Sequence, residues 1–171
     1  QNGRIMMQGS LAARGYTQSQ IAPLLQNQLK YEFLPQSVAG YAATEHFNEL
    51  RKQYPDYTYK EATLNPTNPR DRAADWEADI VNSFRNTAGQ TEIVGERDTP
   101  SGRTLFLARP IQIKDAGCLR CHSVPDAAPA SMIARYGTAN GFGWQHMEIV
   151  GAQVVSVPME VPIHRADATF R

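Results

Sequence analysis

Both cysteines of the 171-residue chain fall in one stretch, Cys118-Leu119-Arg120-Cys121-His122. Two thiols separated by two residues serve three chemistries, and each asks something different of the rest of the chain. A closed zinc site takes four donors, normally from a second closely spaced pair, whereas His46, His146 and His164 are widely scattered. A thioredoxin-like dithiol follows a buried strand and opens a helix; "RTLFLARPIQI" upstream reads as such a strand, yet nothing in that chemistry uses His122. Covalent haem attachment uses all three residues, because the thiols add to the haem vinyl groups and the adjacent imidazole becomes an axial iron ligand. The motif points to one haem c held through Cys118 and Cys121 with His122 on iron, and redox dithiol and zinc stand as the alternatives. A fold built around it must house a large, mainly apolar plate.

With 42% hydrophobic residues, the chain is long enough to bury a core as a single domain. Its 17 basic and 17 acidic residues cancel without a run of one sign, which argues against a nucleic-acid surface. It contains no apolar run of the roughly 18 residues that mark a membrane span. No signal peptide is recognisable, and "QNGRIMMQGSLAARGY" reads as a helix already under way, so a piece of a longer protein is expected.

Helices come first and strands later. Ile21, Leu25, Leu29 and Phe33 recur at four-residue intervals, which predicts an amphipathic helix capped by Thr17 and interrupted at Pro35. Ala43, Phe47, Leu50 and Tyr54 predict a second helix from a Ser37 cap. "DYTYKEATL" changes period towards strand, and "NPTNPRDR" is a turn-rich connector. "DRAADWEADIVNSFRN" places Trp76, Ile80 and Phe84 on one helical face. "TEIVGE" and "RTLFLARPIQI" predict a β-hairpin across "RDTPSG", and "EIVGAQVVSVPMEV" a closing strand. The order predicts an α+β fold with a mostly antiparallel sheet, helices on one face and the haem covering the other. Candidate apolar contacts to that haem are Met132, Ile133, Phe142 and Trp144, with Tyr136 nearby; candidate propionate partners are Arg109, Lys114, Arg120 and Arg135.

Four separate motifs, "YPDYTYKEATLNPTNPRDRAADWEADIV", "CLRCH", "SMIARYG" and "GFGWQHMEIVGAQVVSVPM", together resemble the periplasmic single-haem c-type sensor domains with a PAS-like fold. Members of that family lie on the outer side of bacterial membranes, commonly as input modules of histidine kinases, nucleotide cyclases or chemoreceptors. The resemblance covers Tyr16 to Met159. It implies a five-stranded antiparallel sheet with an N-terminal helical extension and a covalently bound haem. On that basis residues 1–54 form the N-terminal helices, 55–160 the PAS-like core with a haem loop at 116–136, and 161–171 an exit segment.

Two functions are expected from different classes. As a sensor, the domain would respond to redox state or a small diatomic ligand, tethered to the membrane by flanking spans, with a homodimer as one expected arrangement. As an electron carrier, it would only exchange electrons with a redox partner. No Ser-His-Asp pattern or phosphate loop stands out, so no enzymatic activity is expected. With both thiols consumed, the sixth iron position falls to Met7, with Met6, His146, His46 and an open or water-bound position as alternatives.

Overall fold

The computed structural model describes residues 1–159. Met7, Ser10 and Thr17 are buried on one stripe of α1 (Asn2–Tyr16) and the turn that follows it. No new helix begins at Thr17. The chain widens into a π-helical turn, Thr17–Ile21, and tightens again as α2 (Ala22–Leu25). Pro23 supplies a reason: its ring crowds the carbonyl four residues back and has no N–H to give it, and a wider turn relieves that contact. Thr17 is therefore no cap, and its Oγ1 donates to Ala13 O at 2.7 Å. Beyond α2 the expected stripe gives way to a single 3-10 turn, Gln28–Lys30. Ser37 does not cap α3 (Ala39–Arg51) either; its hydroxyl donates backwards to Leu34 O.

Four strands follow: β1 (Thr58–Thr63), β2 (Ile93–Thr99), β3 (Gly102–Gln112) and β4 (Ile149–Pro158). They form one antiparallel sheet in the order β1-β4-β3-β2. The predicted hairpin is present, and Gly102 at φ 115° makes its turn. α4 (Asp75–Asn86) carries the chain from the β1 edge to the β2 edge. The mixed α+β class is as the sequence predicts, but the described residues form four strands, not five. The exit segment 161–171 lies outside the described residues.

Alternation along β4 divides the core into two layers. Val155 and Val157 face α1 and α3, packing with Met7, Ala43, Phe47, Tyr59 and Leu107. Ala152 and Val154 face the other way, against Ile80, Val81 and Phe84 of α4. The second face is thus closed by a helix, and the expectation that a haem covers it is corrected. The three aliphatic and aromatic side chains of α4 supply enough apolar area to do so, at about 1.5–3 kcal/mol per fully buried residue. What remains for a cofactor is the end of the sheet, where residues 113–148 connect β3 to β4.

Candidate cofactor-attachment site

Asp115 opens the site. Its Oδ1 accepts from Gly117 N at 2.8 Å, capping a 3-10 turn at Ala116–Cys118, and its Oδ2 accepts from Gln18 Nε2 at 3.0 Å. The turn runs on into α5 (Leu119–His122). In helical backbone, residues three and four apart share a face, so Cys118, Cys121 and His122 project together. Both cysteines are partly buried and unbridged. Burial pushes both thiols up, helped at Cys118 by the Asp115 carboxylate and opposed there by Arg14. A redox-active dithiol depends on the opposite shift. Among the described residues, no three His, Cys, Asp or Glu groups come together to hold a metal ion, so the donors of a closed zinc site are not assembled.

His122 is held from the facing loop. Its Nδ1 lies 2.8 Å from Gly141 O, and its ring stacks on Trp144 with centroids 4.0 Å apart and planes 15° from parallel. Backbone bonds from Trp144 N to His122 O at 3.1 Å and from Gly143 N to Ser123 O at 2.8 Å bind loop to helix. An Nδ1–H donating to a carbonyl leaves the Nε2 lone pair free, the tautomer in which imidazoles ligate metals. Burial moves the His122 pKa down and so favours the neutral ring, against the smaller upward pull of the Gly141 bond.

The loop is itself gripped. Asn65 Oδ1 accepts from Gly141 N and Asn65 Nδ2 donates to Phe142 O, each at 3.2 Å. Gly141 has φ 86°, and a Cβ there would fall 2.0 Å from Thr67 Oγ1, so only glycine fits. On the other side, Arg14 of α1 pairs with Glu61 of β1, which also accepts from Tyr59 OH at 2.6 Å. The register places Glu61, Gln153 and Arg109 in one row across β1, β4 and β3. On the face that carries α1 and α3, the row lies between the apolar layer and the attachment loop.

A family model described as Tll0287-like matches residues 1–158. The chain belongs to the Tll0287-like family. The crystal structure of the cyanobacterial haem protein Tll0287 aligns with a TM-score of 0.63, covering 90% of this chain and 95% of that one, at 16% identity. That likeness shows a shared fold. No curated protein matches the chain.

In this Tll0287-like chain the predicted site residues are dispersed unevenly. Cys118, Cys121, His122 and Trp144 come together, with Phe142 one residue from the carbonyl that meets His122. Met132 is buried on α6 (Ala130–Tyr136). On the same helix Tyr136 meets Phe33 edge-on at 5.6 Å, and Arg135 lies over the Tyr136 ring. Arg109 is engaged by Glu92, which Arg4 also reaches. Arg120, Arg135, Lys114 and His46 are exposed. His146 is exposed too, with Nε2 3.1 Å from Lys114 O. Met7 is fully buried among α3 and sheet side chains, while Met6 lines a cavity of about 240 Å³ with Asn2, Ile5, Tyr54 and Tyr57. His122 is not among the packing partners of either methionine. Arg14, Asn65 and Gly141 were missed at the sequence level, and only their long-range partners reveal them.

Proposed function

We propose that this chain is a haem-binding domain that carries one haem c through Cys118 and Cys121, with His122 Nε2 as an iron ligand. The observation that carries this reading is the His122 ring, whose Nδ1 is spent on Gly141 O while two thiols share its helical face. Membership of the Tll0287-like family, and likeness in fold to a haem protein, support it. A haem held there supplies a one-electron couple and an iron position for a sixth ligand or a small diatomic molecule. The protein's part is to anchor it by two thioethers, to fix the imidazole between Gly141 O and Trp144, and to set the charge nearby. Arg14 is the charge on α1 that reaches Cys118.

The role proposed is that of a sensor on the outer side of a bacterial membrane, with no enzymatic step of its own. One contact favours it over a simple carrier: Gln18 bonds Asp115 at the start of the attachment loop, so the long N-terminal helix is coupled to the site, and the Arg14 charge on that helix is felt at Cys118. A stimulus moves such an element only through differential free energy between two states, typically about 1–3 kcal/mol.

The test is expression with cytochrome maturation machinery. The purified protein should exceed the polypeptide mass by one haem, and that haem should resist acid-acetone extraction. His122→Ala should retain the thioethers yet change the spin state. Freely extractable haem, or an unaltered His122→Ala spectrum, would sink the assignment. Hydrogen exchange over Asn2–Ile21 should differ between ferric and ferrous protein; identical exchange favours the electron carrier.

A further inference from the structure

We infer that Asn65 is the positioning residue for His122, acting through the peptide between Gly141 and Phe142. The inference rests on the reading of His122 as an iron ligand and adds what fixes its tautomer and ring angle. Asn65 comes from the connector after β1, 76 residues from Gly141. Its amide takes the Gly141 N–H with Oδ1 and gives an N–H to Phe142 O with Nδ2. Those two bonds bracket one peptide unit, and the Gly141 carbonyl within it is the acceptor that meets His122 Nδ1. The amide has only one orientation that satisfies both, since its oxygen must meet an N–H and its nitrogen a carbonyl.

The peptide needs such a clamp. Gly141 and Gly143 both have positive φ, so glycine's broad conformational freedom flanks the carbonyl on which the imidazole depends. Thr67, two residues after Asn65, packs so closely on Gly141 that the peptide has no room to shift towards the connector. Asn65 thus pulls on the peptide while Thr67 blocks it, and the carbonyl is left pointing at Nδ1. Aspartate would keep the bond from Gly141 N but repel Phe142 O, and alanine would lose both bonds. An outer partner that holds the second ring nitrogen raises the basicity of a ligating histidine. Releasing it should weaken donation to iron and raise the reduction potential.

The experiment uses the haem-loaded protein, with loading verified by mass. Solvent exchange of the His122 Nδ1 proton is measured by NMR in the diamagnetic ferrous carbon monoxide adduct, alongside the reduction potential. Asn65→Ala should speed exchange roughly tenfold, the effect of losing a bond network of about 1.4 kcal/mol, and should raise the potential; Asn65→Asp should fall between alanine and wild type. If Asn65→Ala does not accumulate, Gly141→Ala displaces the same peptide from Thr67 and should move both readings the same way. A role confined to stability would lower the melting temperature and leave ring-proton exchange and potential unchanged, and that result in haem-loaded variants overturns the inference while leaving the attachment intact. A wild-type protein without covalent haem overturns both.

Discussion

Glu61 is a buried carboxylate on β1, and Asp71 is one of the residues that feel its charge. Burial and the Glu61 carboxylate together push its pKa up to about 6. A carboxylic acid whose folded pKa lies above the unfolded value of about 3.9 holds a proton that the unfolded chain has already lost. Stability contributed by the neutral form is therefore present below about pH 4 and is lost as pH climbs from about 4 to about 6. The displacement corresponds to at most about 3 kcal/mol, and partial exposure reduces this to about 1–2 kcal/mol. Asp71→Asn should gain that amount over wild type at pH 7.5 and nothing at pH 4, read from urea midpoints at the two pH values. An equal difference at both would remove Asp71 as the titrating group. At this scale the sequence was readable where chemistry is local: Cys118, Cys121 and His122 are contiguous and lie on one turn. Asn65 and Arg14 find their partners 76 and 47 residues away. An asparagine in a turn-rich connector carries no mark of a distant carbonyl, and Arg109 could not be seen to be taken up by Glu92.

Elements were legible by their periodicity and illegible at their ends. Trp76, Ile80 and Phe84 predicted α4, and the helix forms with Ile80 and Phe84 buried and Trp76 against Phe106 at 5.5 Å. Ser37 and Thr17 were wrong as caps because each hydroxyl finds a preceding carbonyl instead. Where α4 does begin, the cap position is Ala74, which has no side-chain acceptor, and only the returning half of a capping box is present. Glu77 Oε1 accepts from Ala74 N at 2.8 Å and also from Lys60 Nζ at 2.7 Å. Ala74→Ser should complete the box and stabilise the protein by about 0.5–1 kcal/mol, since Ala74 is exposed and its extended backbone suits a cap. Glu77→Ala should cost about 2–3 kcal/mol, because it unpairs a backbone donor and a partly buried ammonium together. Equilibrium denaturation decides: no gain from Ala74→Ser would mean that the first turn of α4 is already held by packing alone.

The molecule as a whole sets its two main apolar layers apart from the candidate cofactor loop. Reading helices first and strands later gave the α+β class and the hairpin, but topology decided the rest: once α4 crosses from β1 to β2 it must lie on a sheet face, so that face is not available to a haem. One apolar layer draws on α1, α3 and the strands and the other on α4 and the strands, and neither includes a residue between Arg109 and Glu148. The chain from Ile113 to Glu148 buries Ile113 and Met132 and is otherwise fixed to the body by directional contacts, among them Asn65 to Gly141 and Phe142, Gln18 to Asp115, and Ser131 Oγ to Leu29 O at 2.5 Å. Each such bond contributes about 1 kcal/mol net, so the loop is the part that opens first when its anchor is lost. Removing the proposed attachment with Cys118→Ala and Cys121→Ala together should therefore leave a cooperatively unfolding domain with native strand content. Amide exchange should accelerate over residues 113–148 while β1, β4 and α4 stay protected. Global loss of the sheet in the double variant would show that the two core layers do not stand without the cofactor, and unchanged exchange in the loop would show that its hydrogen bonds suffice to hold it.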